Sequence, residues 1–309
     1  MTLDSQLSVV LAATAGNPPL SGFPPAQARA VFDQLARGLH AAAGPPIAVK
    51  ETHDVQVAGV PVRVYRPDTA ADVVPTVVFV HGGGWVIGSI DSHDDHARRL
   101  CHDLGAVVVS VGYRLAPEHP FPAGVDDVTA VFDAVASDLG AYGGERGRLG
   151  VAGDSAGGNL AAVLALHARD TGVELAAQLL VYPATDLGTE FASLAENADG
   201  YFLTRADTRW FAGHYLGGDT ARTTDPRVSP ARADTLVGLA PAVVVTAQYD
   251  PLRDDGDAYA ARLEAARGTV VHRRFDGLVH GFMGMTGLSA ACEDATAWTV
   301  EAFGTLLRA

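Results

Sequence analysis

Lysine is almost missing from this chain. Lys50 is the only one in 309 residues, and 22 basic side chains face 36 acidic ones, for a formal net charge of −14. A protein that reads phosphate backbones wants clustered Lys and Arg, so nucleic acid is dropped as a partner. Cysteine is scarce as well. Cys101 and Cys292 cannot make a disulfide framework and are expected to be two buried thiols in a reducing compartment. No basic residue precedes Arg29, so the start of the chain lacks the charged region of a signal peptide. Long apolar runs are missing too, since the most apolar N-terminal stretch, Leu7 to Ala15, is far too short to span a bilayer. These absences lead to the expectation of a cytoplasmic protein with no membrane insertion.

What is present suits a packed domain. Hydrophobic residues make up 48% and charged residues 19%, more apolar and less charged than a disordered chain. Short β-branched runs at Val62–Tyr65, Thr76–Val80, Val107–Val111, Leu149–Ala152, Leu179–Tyr182, Val243–Ala247 and Val270–Arg274 read as strands. Several are continuously apolar, as strands buried on both faces of a parallel sheet should be. Helical spacing runs through Asp94–Leu104, Val125–Leu139, Asn159–Arg169, Asp257–Arg267 and Ser289–Leu307. Strand–helix alternation with short connections implies an α/β, doubly wound sheet with helices on both faces. Two stretches break the rhythm. Residues 1–45 contain Pro18, Pro19, Pro24, Pro25 and a helical segment from Ala26 to Ala43, and residues 184–235 are helical, aromatic and rich in loops. An insertion of about 50 residues between two core strands is too long for a simple crossover and suggests a functional cap.

The chemistry-bearing residues cluster at strand ends. Gly153-Asp154-Ser155-Ala156-Gly157-Gly158 follows one strand and opens a helix. Glycines permit the cramped turn of a nucleophile elbow, and the helix N-terminus favours developing negative charge. His81-Gly82-Gly83-Gly84-Trp85 follows Thr76–Val80, where consecutive glycines let backbone N–H groups point into a cavity and bind an oxyanion. Asp250 comes three residues after Val243–Ala247, and His280 a few residues beyond Val270–Arg274. The chain order Ser155, Asp250, His280 is that of an α/β-hydrolase triad. Asp254 shares the acid's loop and is the rival acid, with strand position favouring Asp250.

From about residue 55 to 307 the chain resembles the hormone-sensitive-lipase-like α/β-hydrolases, the bacterial family IV esterases. The resemblance is carried by His81-Gly-Gly-Gly-Trp, Tyr113-Arg-Leu-Ala-Pro-Glu-His-Pro-Phe-Pro-Ala, Gly153-Asp-Ser-Ala-Gly-Gly-Asn, Asp225-Pro-Arg-Val-Ser-Pro, Asp250-Pro-Leu-Arg-Asp-Asp-Gly and His280-Gly-Phe. Asp255 and Asp257 stand where relatives often have Glu. The resemblance implies an α/β-hydrolase fold with a mostly parallel sheet of about eight strands. Residues 46–183 and 236–309 form the core, with 1–45 and 184–235 as the helical cap. It implies Ser155 as nucleophile, His280 as base and Asp250 as its orienting acid, with oxyanion donors from the N–H groups of Gly83, Gly84 and Ala156. It implies no cofactor and no metal, a small ester as substrate, and a homodimer formed through the edge of the sheet.

The reading that follows is a serine carboxylesterase for short-to-medium acyl esters, working through an acyl-enzyme on Ser155. An arylformamidase or amidase-type hydrolase also fits His81–Trp85, but the Tyr113–Pro122 and Asp225–Pro230 segments favour the esterase. A non-catalytic small-ligand receptor on the same fold is opposed by the presence of His280. Trp85, Phe202, Trp210, Phe211 and Tyr215 are expected around the substrate pocket. His93 and His96 have i, i+3 spacing that suits a metal, and are read instead as the start of a solvated helix. Arg114 and Glu118 are read as ion-pairing and turn residues beneath the site.

Overall fold

The computed structural model describes residues 2–145 and 147–309. In chain order the main elements are α1 (Ser5–Thr14), α2 (Pro25–Ala43), β1 (Glu51–Val57), β2 (Val60–Arg66), β3 (Thr76–Val80), α3 (Asp94–Leu104) and β4 (Val107–Val111). They continue as α4 (Ala123–Ser137), β5 (Leu149–Asp154), α5 (Ala156–Thr171), β6 (Ala177–Val181), α6 (Ser193–Glu196), α7 (Arg205–Tyr215), β7 (Ala242–Tyr249), α8 (Arg253–Ala265), β8 (Val270–Val279) and α9 (Ala290–Leu307). One eight-stranded sheet runs in the order β1-β2-β4-β3-β5-β6-β7-β8. β2 is antiparallel to both β1 and β4, and the pairs from β4 through β8 are parallel.

The alternation of side chains along the strands builds two cores. Val78 and Val80 of β3 join Val128, Phe132, Leu160, Leu164, Tyr259 and Leu263 of α4, α5 and α8. Val77 and Phe79 point the other way, to Ala97, Leu100 and Leu104 of α3 and Cys292, Val300 and Phe303 of α9. Each large apolar side chain so buried contributes about 1.5–3 kcal/mol. β3, β4, β5 and β6 are buried along their whole length. That is why they read as unbroken apolar runs.

β1 escaped the sequence reading for the opposite reason. Six of its seven residues are exposed, so Glu51-Thr-His-Asp-Val-Gln-Val carries almost no apolar pattern. α1 was likewise seen only as an apolar stretch. Its Asp4 caps the helix by accepting the N–H groups of Gln6 and Leu7, while Val9 stays 70% exposed.

Strand order reverses around β3, with β4 on one side and β5 on the other. Open α/β sheets place their binding crevice at the carboxyl ends of strands near such a reversal. Over those ends lie α1, α2 and the segment carrying α6 and α7. A third apolar cluster forms there: Ala28, Val86, Ile87, Ala116 and Phe211, with Leu20, Phe23, Phe32, Leu203 and Trp210 packed around them. The two covering segments, far apart in sequence, meet through one carboxylate. Asp207 of α7 accepts the Ser21 N–H at 2.7 Å and also closes the capping box with Thr204. Arg29 of α2 reaches the layer below, donating to the carbonyls of Val86 (2.7 Å) and Ala116 (2.8 Å) and to both oxygens of Glu118.

Candidate active site

β5 ends in a turn whose centre is Ser155, held at φ 56° and ψ −118°. A non-glycine residue at positive φ costs about 1–3 kcal/mol and persists only where its surroundings impose it. Here the Ser155 N–H donates to the Val181 carbonyl at 2.8 Å, and its carbonyl accepts the Asn159 N–H at 3.0 Å. The helix that follows passes so close to β3 that a Cβ on Gly157 would sit 2.0 Å from the Val80 carbonyl oxygen. That contact explains the glycine after the Ser155 turn.

Three side chains from three strand ends converge. His280 Nε2 lies 2.9 Å from Ser155 Oγ, and His280 Nδ1 lies 2.7 Å from Asp250 Oδ2. Asp250 is fully buried, and its other oxygen accepts the Leu252 N–H at 2.8 Å. Held in this way, Asp250 calls for a proton on Nδ1 and leaves Nε2 bare toward the serine hydroxyl. The Tyr182 ring, 4.6 Å from the imidazole between centroids, flanks it. Asp254 does not face the histidine. It accepts from the Ser193 N–H and pairs with Arg253.

The glycine loop after β3 comes within reach of the same place. Gly83 and Gly84 sit at φ +112° and +57°. A Cβ on Gly83 would lie 2.2 Å from the Ile87 carbonyl oxygen. Gly83 accepts the N–H groups of Val86 and Ile87 through its carbonyl, while its own N–H and that of Gly84 find no protein acceptor among the described residues. Ala156 is the first residue of α5, where backbone N–H groups have no partner within the helix. Two chain segments thus present N–H groups beside Ser155.

A cavity of about 1130 Å³ opens above these groups. It is lined by Gly83, Gly84, Ser155, Ala156 and His280 below, by α1 and α2 on one side, and by the 184–212 segment on the other. Trp85, Phe202 and Phe211 are on its wall. Trp210 and Tyr215 are not among its lining residues, which corrects their placement at the pocket. Tyr215 is buried behind Trp85, stacked on it at 4.3 Å, and Trp210 packs edge-on against Phe211 and His214. Both aromatic rings support the wall from outside.

His93 and His96 also depart from expectation. They are not the start of a solvated helix: His93 is 5% and His96 7% exposed, and His93 Nε2 lies 3.5 Å from Asp154 Oδ2. Burial lowers His96, and also His81 of the glycine loop, to a pKa of about 3, so both are neutral rings. Arg114 pairs with Asp127, whereas Glu118 pairs with Arg29 of α2 and so joins two layers. Asp255, fully buried, accepts from the Thr185 hydroxyl (2.5 Å) and N–H (2.8 Å); burial raises its carboxyl to a pKa of about 7. Asp257 bonds Thr246, His272 and Arg274. Cys101 and Cys292 are buried and free.

Several residues that hold the site together went unnoticed in the sequence or, like Asn159, were noticed only as part of a motif and a helix start. Asn197, after α6, donates to the Asp250 carbonyl at 3.1 Å, and Ser193 donates to the Pro251 carbonyl at 2.7 Å. Asn159 donates to the carbonyls of Ala184 and Val228, tying α5 to both ends of the inserted segment. For Asp207 the Thr204-x-x-Asp207 spacing marks a helix start, but nothing in the sequence announces its bond to Ser21.

Fold, converging side chains and glycine loop together define a hydrolase of the α/β type. Residues 77–284 match the alpha/beta hydrolase fold family model, about two thirds of the chain, and the chain belongs to that family. Its relatives include several ester hydrolases. It is 43% identical to the carboxylic ester hydrolase LipN of Mycobacterium tuberculosis, over 82% of this chain and 69% of that one. It is 45% identical to the carboxylesterase NlhH of the same organism, over 77% and 75%. Among solved structures, the hyperthermophilic esterase from the archaeon Pyrobaculum calidifontis superposes with a TM-score of 0.94 at 37% identity, covering all of both chains.

Proposed function

We propose that this carboxylic ester hydrolase works as a serine esterase in which Ser155 is the nucleophile, His280 the general base and Asp250 the group that orients it. The observation that carries the reading is the unbroken relay Asp250–His280–Ser155, with links of 2.7 and 2.9 Å, at the floor of a large cavity. As Ser155 Oγ bonds to the ester carbonyl carbon, its proton passes to His280 Nε2, and Asp250 stabilises the imidazolium. The carbonyl oxygen, now negative, takes hydrogen bonds from the N–H groups of Gly83, Gly84 and Ala156. Each is worth about 3 kcal/mol if it acts as oxyanion donors do elsewhere. The imidazolium proton leaves with the alcohol, and water then attacks the acyl-enzyme by the same route.

Residues 1–45 and 184–235 act as a cap over the core of residues 46–183 and 236–309, and the substrate is a small ester with a short-to-medium acyl chain. Trp85, Phe202 and Phe211 would bound the acyl or alcohol group. Cytoplasmic placement is supported by the two free buried cysteines. No helix among the described residues is long and apolar enough to cross a membrane. A homodimer through the edge of the sheet is supported by the open edge strands, β1 and β8. Light scattering and cell fractionation check the last two points.

The test is hydrolysis of p-nitrophenyl esters of rising acyl length by the wild type and Ser155→Ala, with an aryl formamide beside them. Turnover highest on short esters, low on the formamide and lost in the variant is expected. Preference for the formamide, or activity retained in Ser155→Ala, overturns the reading.

A further inference from the structure

The relay and the glycine loop leave the buried histidines beside them without a task. His93 stands 5.4 Å from His81 and 5.1 Å from His96 between ring centroids. Against this group lies Asp154, the residue before the nucleophile, with both carboxylate oxygens engaged. Oδ1 accepts the Gly82 N–H at 2.9 Å, and Oδ2 faces His93 Nε2 at 3.5 Å. Burial alone would push the Asp154 carboxyl up. Attraction and hydrogen bonding from His93 outweigh burial and hold it well below the usual carboxylate range.

An oxyanion hole assembled from two chain segments is only as good as the registry between them. The Gly83 and Gly84 N–H groups come from the loop after β3, and that of Ala156 from the turn after β5. The β3–β5 ladder ends with Val80 opposite Gly153. Beyond that point the Asp154–Gly82 hydrogen bond carries the tie onward, from the residue before Ser155 to the residue before Gly83. The fit is close enough that a Cβ on Gly82 would meet Asp154 Oδ2 at 2.4 Å. Asp154 therefore belongs to one half of the hole by sequence and grips the other by its side chain.

His93 is the side chain that faces the second oxygen of Asp154. Its Nδ1 lies 2.9 Å from Ser92 Oγ, a hydroxyl that also accepts the Ser89 N–H at 2.8 Å. The ring is thus anchored on its far side with Nε2 turned to the carboxylate. A carboxylate oxygen opposite Nε2 calls for a hydrogen on that nitrogen.

We propose that His93 is a positioning residue for the oxyanion hole: by holding one oxygen of Asp154 it fixes the grip of the other on Gly82, and so the spacing between the N–H groups of Gly83 and Gly84 and that of Ala156. The inference rests on Ser155 being the nucleophile, as proposed above. Its consequence is specific. Loss of His93 should weaken binding of the tetrahedral oxyanion while leaving ground-state ester binding nearly intact.

The experiment compares wild type, His93→Ala, His93→Gln and Ser92→Ala on p-nitrophenyl acetate and with an aryl trifluoromethyl ketone. Ser155 Oγ adds to the ketone carbon of that inhibitor, its proton goes to His280, and the resulting oxyanion occupies the hole. His93→Ala is expected to lower kcat by about 10- to 100-fold, the scale of an ångström-level misplacement. KM should stay within about twofold, and ketone affinity should weaken by the same factor as kcat/KM. His93→Gln, which keeps an N–H for Asp154, recovers most of the loss, and Ser92→Ala loses less than His93→Ala. A folded His93→Ala with wild-type kcat overturns the proposal, as does a fall in kcat with unchanged ketone affinity. Should His93→Ala fail to fold, the other two variants decide: kcat/KM and ketone affinity moving apart in them overturns the proposal. Ser155→Ala serves as the control. If it still hydrolyses the ester, the nucleophile reading itself fails; if it is inactive while the His93 variants behave as wild type, only the role of His93 fails.

Discussion

At the carboxyl edge of the sheet, Ser155, Asp250 and His280 stand on strands and turns packed between two layers of helices, with Asp250 fully buried. In the cover above, Val9, Val31 and Leu35 remain 70%, 37% and 47% exposed on α1 and α2. The floor is over-determined: strand ladders, two apolar cores and the close pass of Gly157 against Val80 all fix the same atoms. The cover is held by one small apolar cluster and a few polar anchors, notably Arg29, Asp207 and Asn197. Chemistry placed on the floor should survive changes in the cover, and selectivity should not.

Breaking the floor has the largest expected effect. Asp250→Asn leaves the fold intact but removes the carboxylate that fixes the His280 tautomer. The kcat on p-nitrophenyl acetate should fall by about 10³- to 10⁴-fold at unchanged thermal stability. A loss under tenfold would mean that another acid serves His280.

The cover is probed next with Asp207→Ala, which strips one buried carboxylate from both Ser21 and Thr204. Unfolding free energy should drop by about 1–3 kcal/mol. The acyl-length profile should shift, with kcat/KM on acetate changing less than about twofold and on long acyl chains by up to about tenfold. Equal losses on short and long esters would erase the distinction between floor and cover.

Acid sharpens the comparison, because His81 and His96 lie on the floor side. Their native pKa values of about 3 are far below the ordinary histidine value, so the unfolded chain binds more protons. Stability therefore falls as pH drops from about 6.5 towards 3. Urea unfolding near pH 7 and near pH 5 should show this, and His96→Gln should flatten the slope. A slope unchanged by the substitution would mean His96 is not the group that titrates. The smallest effect is expected of Glu118→Gln. Glu118 is half exposed, and Arg29 keeps its bonds to the Val86 and Ala116 carbonyls. The stability change should stay under about 1 kcal/mol; a larger one would mark Glu118 as a principal anchor of the cover.

The same contrast governs what the sequence discloses. Strands such as Val107–Val111 are apolar throughout because both faces are buried, so periodicity finds them, whereas β1 is polar and exposed and leaves no trace. Ser155, Asp250 and His280 were legible because each follows a strand in the expected chain order. Tyr215 and Trp210 were misplaced because an aromatic residue that lines a cavity and one that props up its wall look alike in sequence. His93 was misread because acidic neighbours suggest a solvated helix start. In the fold it faces Asp154, more than fifty positions away, and long-range polar pairings of this kind carry no periodicity. Arg29 and Asp207 were missed on the same ground.

The most direct test of the floor's role is to trap the acyl-enzyme. Wild type and Ser155→Ala are mixed with p-nitrophenyl acetate, quenched in acid within milliseconds to seconds, digested and mapped by mass spectrometry. An acetyl group on the peptide carrying Ser155, forming with a burst of p-nitrophenol and absent from the variant, is the expected result. Acetylation at another residue with undiminished turnover in Ser155→Ala would contradict it.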